Sequence, residues 1–241
     1  MSDDARHMLA ELDPKPDQVT VAINTTQMNI MELLYPEYLK DTSLASPALH
    51  AAYSEMTVPA GPAWVEEHLR RLQGAGIQAH FQLTGIHALE TLERLIRKGV
   101  YTGPLNLTWI GIGGGFDGPN PFNFFNFIHR APDGSCITAE SLLKNVLPFN
   151  TMAMAMGLHP RCGIEDTIID QHGNRMTSVQ QVQQCVRVAR ELGREIASGK
   201  EAREIYRIGT WYKNADETLA GMGMAPNRVR GQRNVPLRKA A

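Results

Sequence analysis

The run Ile77-Gln-Ala-His-Phe-Gln-Leu-Thr84 alternates: Ile77, Ala79, Phe81 and Leu83 are apolar, while Gln78, His80, Gln82 and Thr84 are polar. A period of two marks a β-strand with one buried face and one face left to water or function. A strand of an open doubly wound sheet, covered by helices on both sides, reads instead as a nearly continuous apolar run. Val19-Thr-Val-Ala-Ile-Asn24, continuing to Thr26, and Leu105-Asn-Leu-Thr-Trp-Ile110 repeat the alternation, with Thr20, Asn24, Thr26, Asn106 and Thr108 on the polar side. The pattern predicts an α/β TIM (β/α) barrel, in which apolar faces meet the helices and polar faces line the lumen up to a mouth at the strands' C-terminal ends. Asn24, Thr26, Gln82, Thr84, Thr108 and Glu165 then converge there. His80, a pleat below the rim, reads as a satisfied lumen hydrogen bond.

Helices alternate with these strands. Ala63 to Gly74 and His87 to Lys98 have helical periodicity and glycine stops. A weak strand at Cys136 to Ala139 precedes a helical run through Met156. Ser178 to Ser198 reads as one helix, with Val179, Val182, Cys185, Val186, Ala189, Leu192 and Ile196 as an apolar stripe and Ser178 to Gln181 as a capping box. Strand and helix taking turns imply a parallel sheet. Tyr35 to Met56, poorly periodic, reads as an insertion near the site or an intersubunit arm.

The chemistry-bearing stretch is His159-Pro-Arg-Cys-Gly-Ile-Glu-Asp166. In extended backbone Arg161 and Glu165 share a face, and Asp166 follows where the chain turns. Adjacent carboxylates beside a guanidinium suit a metal ligand next to an acid/base group; they suit equally an ion pair that closes a strand. His159 reads as packing rather than as a ligand.

Composition bounds the function classes. The 241 residues are 43% hydrophobic and 20% charged, enough apolar material for one domain of about 200 to 250 residues. We assign residues 1–210 to a barrel domain and 211–241 to a basic tail carrying Arg228, Arg230, Arg233, Arg238 and Lys239. A net charge of -1 argues against nucleic acid as a partner of the main domain. The N-terminus has no signal-peptide pattern and no segment approaches a membrane span, which predicts a chain that neither enters a membrane nor is exported. Three scattered cysteines, Cys136, Cys162 and Cys185, fit a reducing cytoplasm.

Gly157-Leu-His-Pro-Arg-Cys-Gly-Ile-Glu-Asp-Thr167, preceded by Leu147-Pro-Phe-Asn-Thr-Met-Ala-Met-Ala-Met156, resembles the last barrel strand and preceding helix of the beta-keto acid cleavage enzymes, typified by the 3-keto-5-aminohexanoate cleavage enzyme. The similarity extends through Ser178–Leu192 and Ala202–Ile205, and backward through Gly103–Leu107, Gly76–Gln82 and Ile23–Asn29, covering most of residues 5 to 210. The resemblance implies a zinc-dependent retro-Claisen exchange, in which a beta-keto acid and acetyl-CoA give acetoacetate and a new acyl-CoA. It implies Glu165 as the zinc ligand, Asp166 as the general base and Arg161 as its orienter, and it implies a homo-oligomer, a tetramer. Zinc would polarise the keto and carboxylate oxygens and stabilise the enolate. Gly111 to Gly118 offers backbone donors to the thioester arm or forms a surface loop. Asn24, Thr26, Gln82 and Thr84 are the expected substrate-binding residues.

Two departures accompany the resemblance. The family's His-x-His zinc pair is missing from this sequence, and its fifth-strand glutamate corresponds to Gln82. Val19 to Asn24 aligns with about the fourth family strand, so the chain is expected to hold strands four to eight, without roughly 100 residues at about 30 per βα unit. With Glu165 as one ligand where three are usual, zinc binding by this chain alone is expected to be weak. The alternative is a truncated, non-catalytic barrel piece acting as an interaction or split-enzyme subunit.

Overall fold

The computed structural model describes all residues except 1–2, 24–26, 30, 32–33, 35–38, 58–59, 114–116, 143–144 and 229–241. Five parallel strands run in sequential order: β1 (Gln18–Ile23), β4 (Gln78–Leu83), β5 (Asn106–Gly111), β6 (Cys136–Ser141) and β7 (His159–Pro160). Sequential parallel order is that of a barrel wall; a doubly wound sheet reverses direction at a switch point. The arc is open, since among the described residues no strand joins β7 to β1. A short helix, α1 (Asp3–His7), precedes the sheet. The small strands β2 (Gln27–Met28) and β3 (Met56–Thr57) pair antiparallel beyond the C-terminal end of β1. Between them lies helix α2 (Pro47–Ser54), so the aperiodic stretch is in part an excursion at the rim end.

The alternation of side chains has its expected effect. Val21, Ile23, Ala79, Phe81, Leu83, Leu107 and Trp109 point outward and are buried under the helices. Helix α3 (Pro62–Gly74) supplies Val65, Leu69 and Leu72, and α4 (Ile86–Arg97) supplies Leu92 and Ile96. Helix α5 (Pro121–Arg130) adds Phe124 and Phe127, and Phe124 packs on Trp109 together with Phe149 of α6 (Leu147–Ala155). Sequence reading passed over α5. Its start is nevertheless built from a cap: Asn120 accepts from the Phe122 amide, with Pro121 in the first turn.

Helix α7 runs Ser178–Glu191, not to Ser198. Leu192 closes the helix, Gly193 adopts a left-handed φ of 69°, and the Arg194 amide bonds back to the Ala189 carbonyl. The capping box also lies one residue earlier, formed by Thr177 and Gln180. Of the expected stripe, Cys185 and Ala189 are buried, whereas Val179, Val182, Leu192 and Ile196 are exposed.

The folded body extends past residue 210. After α8 (Gly199–Ile205), helix α9 (Ala215–Gly221) brings Leu219, and Met222 just after it, into the core. Between those helices, residues 206 to 210 close the N-terminal end of the concave face. Gln78 donates to the Arg207 and Thr210 carbonyls at 3.0 Å each, and Asn106 donates to the Tyr206 carbonyl at 3.0 Å. The Tyr206 ring lies against His80 and His159. No described helix is long and apolar enough to cross a membrane.

Candidate active site

Strand register builds the site. Along the sheet Ile110 is paired with Glu140, and Ala139 with Pro160. The Arg161 amide then bonds the Ala139 carbonyl at 2.9 Å, which extends the ladder one residue and sets Arg161 beside Glu140. Arg161 Nη1 donates to Glu140 Oε2 at 2.8 Å, while Nη2 contacts Glu165 Oε2 and lies 3.2 Å from Asp166 Oδ1. One guanidinium therefore serves three carboxylates at the C-terminal end of the sheet.

Arg161 and Glu165 do meet, but not along a strand. Strand β7 ends at Pro160, and the chain turns at Gly163, where φ is 155°. The Asp166 and Thr167 amides bond to the Gly163 carbonyl at 3.0 and 3.2 Å. A turn parts neighbouring side chains more sharply than a pleat does. Glu165 projects to solvent with its side chain 83% exposed, whereas Asp166 is 1% exposed.

Helix α7 holds this turn. Gln181 Oε1 accepts from the Gly163 amide at 2.9 Å, and its Nε2 donates to the Thr167 carbonyl at 2.6 Å. Ser178 Oγ accepts from the Ile164 amide at 3.2 Å. Because Thr177 and Gln180 do the capping, Ser178 and Gln181 are free to grip the loop.

Burial governs the electrostatics. Glu140, 4% exposed, is pushed up to about 7 by loss of water, with Asp166 and Glu165 adding in the same direction and Arg161 opposing. Asp166 is pushed up to about 6, again chiefly by burial, with Arg161 opposing. Among the described residues its oxygens meet no aligned hydrogen-bond donor, although the Arg161 guanidinium is within ion-pair distance. Burial thus lifts two carboxyl groups toward neutrality at one end of the sheet.

Sequence reasoning missed Glu140, because the weak strand it identified stopped at Ala139. The signal was present: Thr138 and Glu140 alternate onto the lumen face as Gln78, His80 and Gln82 do. Thr84 is buried on the concave side, its hydroxyl without a partner among the described residues, and its carbonyl accepts from the Asp117 amide at 3.0 Å. Gln82 is half-buried one layer lower, opposite Thr108. Asn24 and Thr26 lie outside the described residues, as does the middle of the Gly111–Gly118 loop. His80 shares a 2.8 Å hydrogen bond with the Thr108 hydroxyl, and burial lowers it to about 4. His159 packs against Tyr206 on the concave face, not in the apolar core.

Among the described residues, no three His, Cys, Asp or Glu side chains are grouped to hold a metal ion. Glu165 is the exposed carboxylate that could meet one. A catalytic zinc uses three protein ligands, so the described residues do not by themselves fit a complete zinc site.

The sequence is similar to those of known proteins. The chain is 29% identical over 135 residues to a 3-keto-5-aminohexanoate cleavage enzyme of Acetoanaerobium sticklandii, covering 55% of this chain and 49% of that protein. It is 39% identical over 78 residues to the 3-keto-5-aminohexanoate cleavage enzyme of Fusobacterium nucleatum, covering 32% and 29%. It is 23% identical over 148 residues to a 3-dehydrocarnitine:acetyl-CoA trimethylamine transferase of Rhizobium meliloti, covering 61% and 49%. The matches span about half or less of those relatives' own length. The family model described as beta-keto acid cleavage enzyme matches residues 1–208, and the chain belongs to that family.

Proposed function

We propose that this chain carries the acid/base residues of a beta-keto acid cleavage site and exchanges acyl groups between a beta-keto acid and acetyl-CoA to give acetoacetate and a new acyl-CoA. The observation that carries this reading is the Arg161 clamp, which holds a buried Asp166 at the catalytic end of a sequential parallel sheet. Asp166 is the proton acceptor: its lifted pKa leaves it basic enough to take a proton near neutrality, and its oxygens are not occupied by aligned donors among the described residues. Arg161 keeps a fraction of Asp166 ionised and fixes its direction. Glu140 anchors Arg161 from the strand side and is a positioning residue. Thr84 and Gln82, on the polar side of β4 and its C-terminal end, would hold the keto acid, with Asn24 and Thr26 proposed beside them.

Zinc, when bound, would polarise the keto oxygen, and Glu165 would be its ligand from this chain. The described residues do not by themselves complete that site. A homo-oligomer, a tetramer, working in the reducing cytoplasm completes the reading.

The test is direct. The purified chain is incubated with zinc, acetyl-CoA and a panel of beta-keto acids, and acetoacetate is measured. Formation of acetoacetate that Asp166→Asn abolishes supports the assignment. Absence of product with every keto acid, or activity that persists in Asp166→Asn, overturns it.

A further inference from the structure

Behind the active-site turn, Cys162 and Cys185 face each other across a small cavity also lined by Asn150, Thr167, Val146 and Gln181. Both thiols are free. The buried amide of Asn150 donates to the Cys185 sulfur at 3.6 Å, and the Cys162 and Cys185 side chains lie near enough to shift each other's titration. The neighbouring Cys162 thiol and the Asn150 amide favour the Cys185 thiolate and lower its pKa, while Cys162, which holds its proton beside that sulfur, is pushed up. The third cysteine, Cys136, sits at the start of β6, where burial pushes it up to about 11. The pair thus has an attacking sulfur and a resolving sulfur, and Cys136 is a built-in control.

The position of the pair matters as much as its chemistry. Cys162 lies between Arg161 and Gly163, and Cys185 lies one helical turn beyond Gln181, whose side chain already ties Gly163 and Thr167 to α7. A bond between the two sulfurs would join the same two segments covalently.

We propose that Cys162 and Cys185 are an oxidation site whose reagent is a hydroperoxide, and that its product is an intramolecular disulfide fastening the Arg161–Asp166 turn to α7. The Cys185 thiolate attacks one peroxide oxygen; the O–O bond breaks, and the leaving hydroxide or alkoxide takes a proton to become water or an alcohol, leaving a sulfenic acid on Cys185. Cys162, losing its proton, attacks that sulfur; the S–S bond forms, the S–O bond breaks, and water departs. Two thiols lose two electrons in all, and one hydroperoxide gains them.

The experiment uses the full chain, freed of reductant under nitrogen and treated with hydrogen peroxide. Titratable thiols in denaturant fall from three to one, and dithiothreitol restores them. Non-reducing tryptic mass spectrometry shows the peptide 162–175 joined to 176–187, with Cys136 still alkylated. In Cys162→Ser, dimedone labels Cys185, and in Cys136→Ser the disulfide forms as in the unaltered chain. Retention of all three thiols, a bridge that includes Cys136, or a bridge between two chains overturns the proposal. The peptide linkage is read on the unaltered chain, so the proposal stands or falls even where a variant fails to fold.

Discussion

Glu140→Gln should change how stability depends on pH, not merely lower it. Glu140 is 4% exposed and titrates near 7 in the folded chain against its ordinary 4.5. Below pH 4.5 the group is protonated in both states and folding is not penalised. As pH rises toward 7 the unfolded chain ionises while the folded chain keeps its proton, so the unfolded state gains and stability falls. The loss runs at about 1.4 kcal/mol per pH unit, and it amounts to about 3 kcal/mol between pH 5 and 8. Glutamine has the same shape, and its carbonyl oxygen still accepts from Arg161 Nη1, but it has no proton to lose. His68 and His80, both lowered to about 4, change in the opposite sense between about 4 and 6.5, and they do so equally in both proteins. The difference between the two proteins therefore reads Glu140 together with its coupling to Asp166. Urea unfolding at pH 5, 6, 7 and 8 should show Glu140→Gln overtaking the unaltered chain by about 3 kcal/mol as pH rises. Parallel stability curves, or an advantage for Glu140→Gln confined to low pH, would refute the reasoning.

Asp166→Asn should separate activity from stability: acetoacetate formation falls by about 10²- to 10⁴-fold, while urea unfolding at pH 8 shows no loss, because asparagine removes the cost of ionising a buried carboxyl lifted to about 6. Gln181→Ala frees the Gly163 amide and the Thr167 carbonyl, and should cost about 2 to 4 kcal/mol in urea unfolding and speed hydrogen exchange at Gly163 and Ile164. Leu219→Ala should cost about 2 to 5 kcal/mol, and a loss under about 1 kcal/mol would contradict the placement of α9 in the core.

The arc of parallel strands was legible because alternation in Ile77–Thr84 and its counterparts records which face meets helices, and that is a local property. The gathering of Arg161, Glu165 and Asp166 was legible as a cluster. Its geometry was not, because a turn at Gly163, not a pleat, sends Glu165 out and Asp166 in. The face on which Glu140 lies was legible in the alternation, but its partnership with Arg161 was not, because the pairing of β6 with β7 sets that contact between residues 21 apart in the chain. Helix α5 escaped because the Gly118-Pro-Asn-Pro121 stretch that leads into it reads as loop, although Phe124 and Phe127 are spaced for one face. The overlong reading of α7 failed on Gly193, whose left-handed backbone outweighed the apolar residues beyond it.

The stopper formed by residues 206 to 210 has a consequence for biosynthesis. Gln78 and Asn106 find their acceptors 129 and 100 residues downstream. The whole wall is therefore translated before the piece that satisfies its inner amides, and a nascent chain halted after β7 would display a row of thirsty polar groups to chaperones. The same segment, once in place, covers the N-terminal end of the concave face.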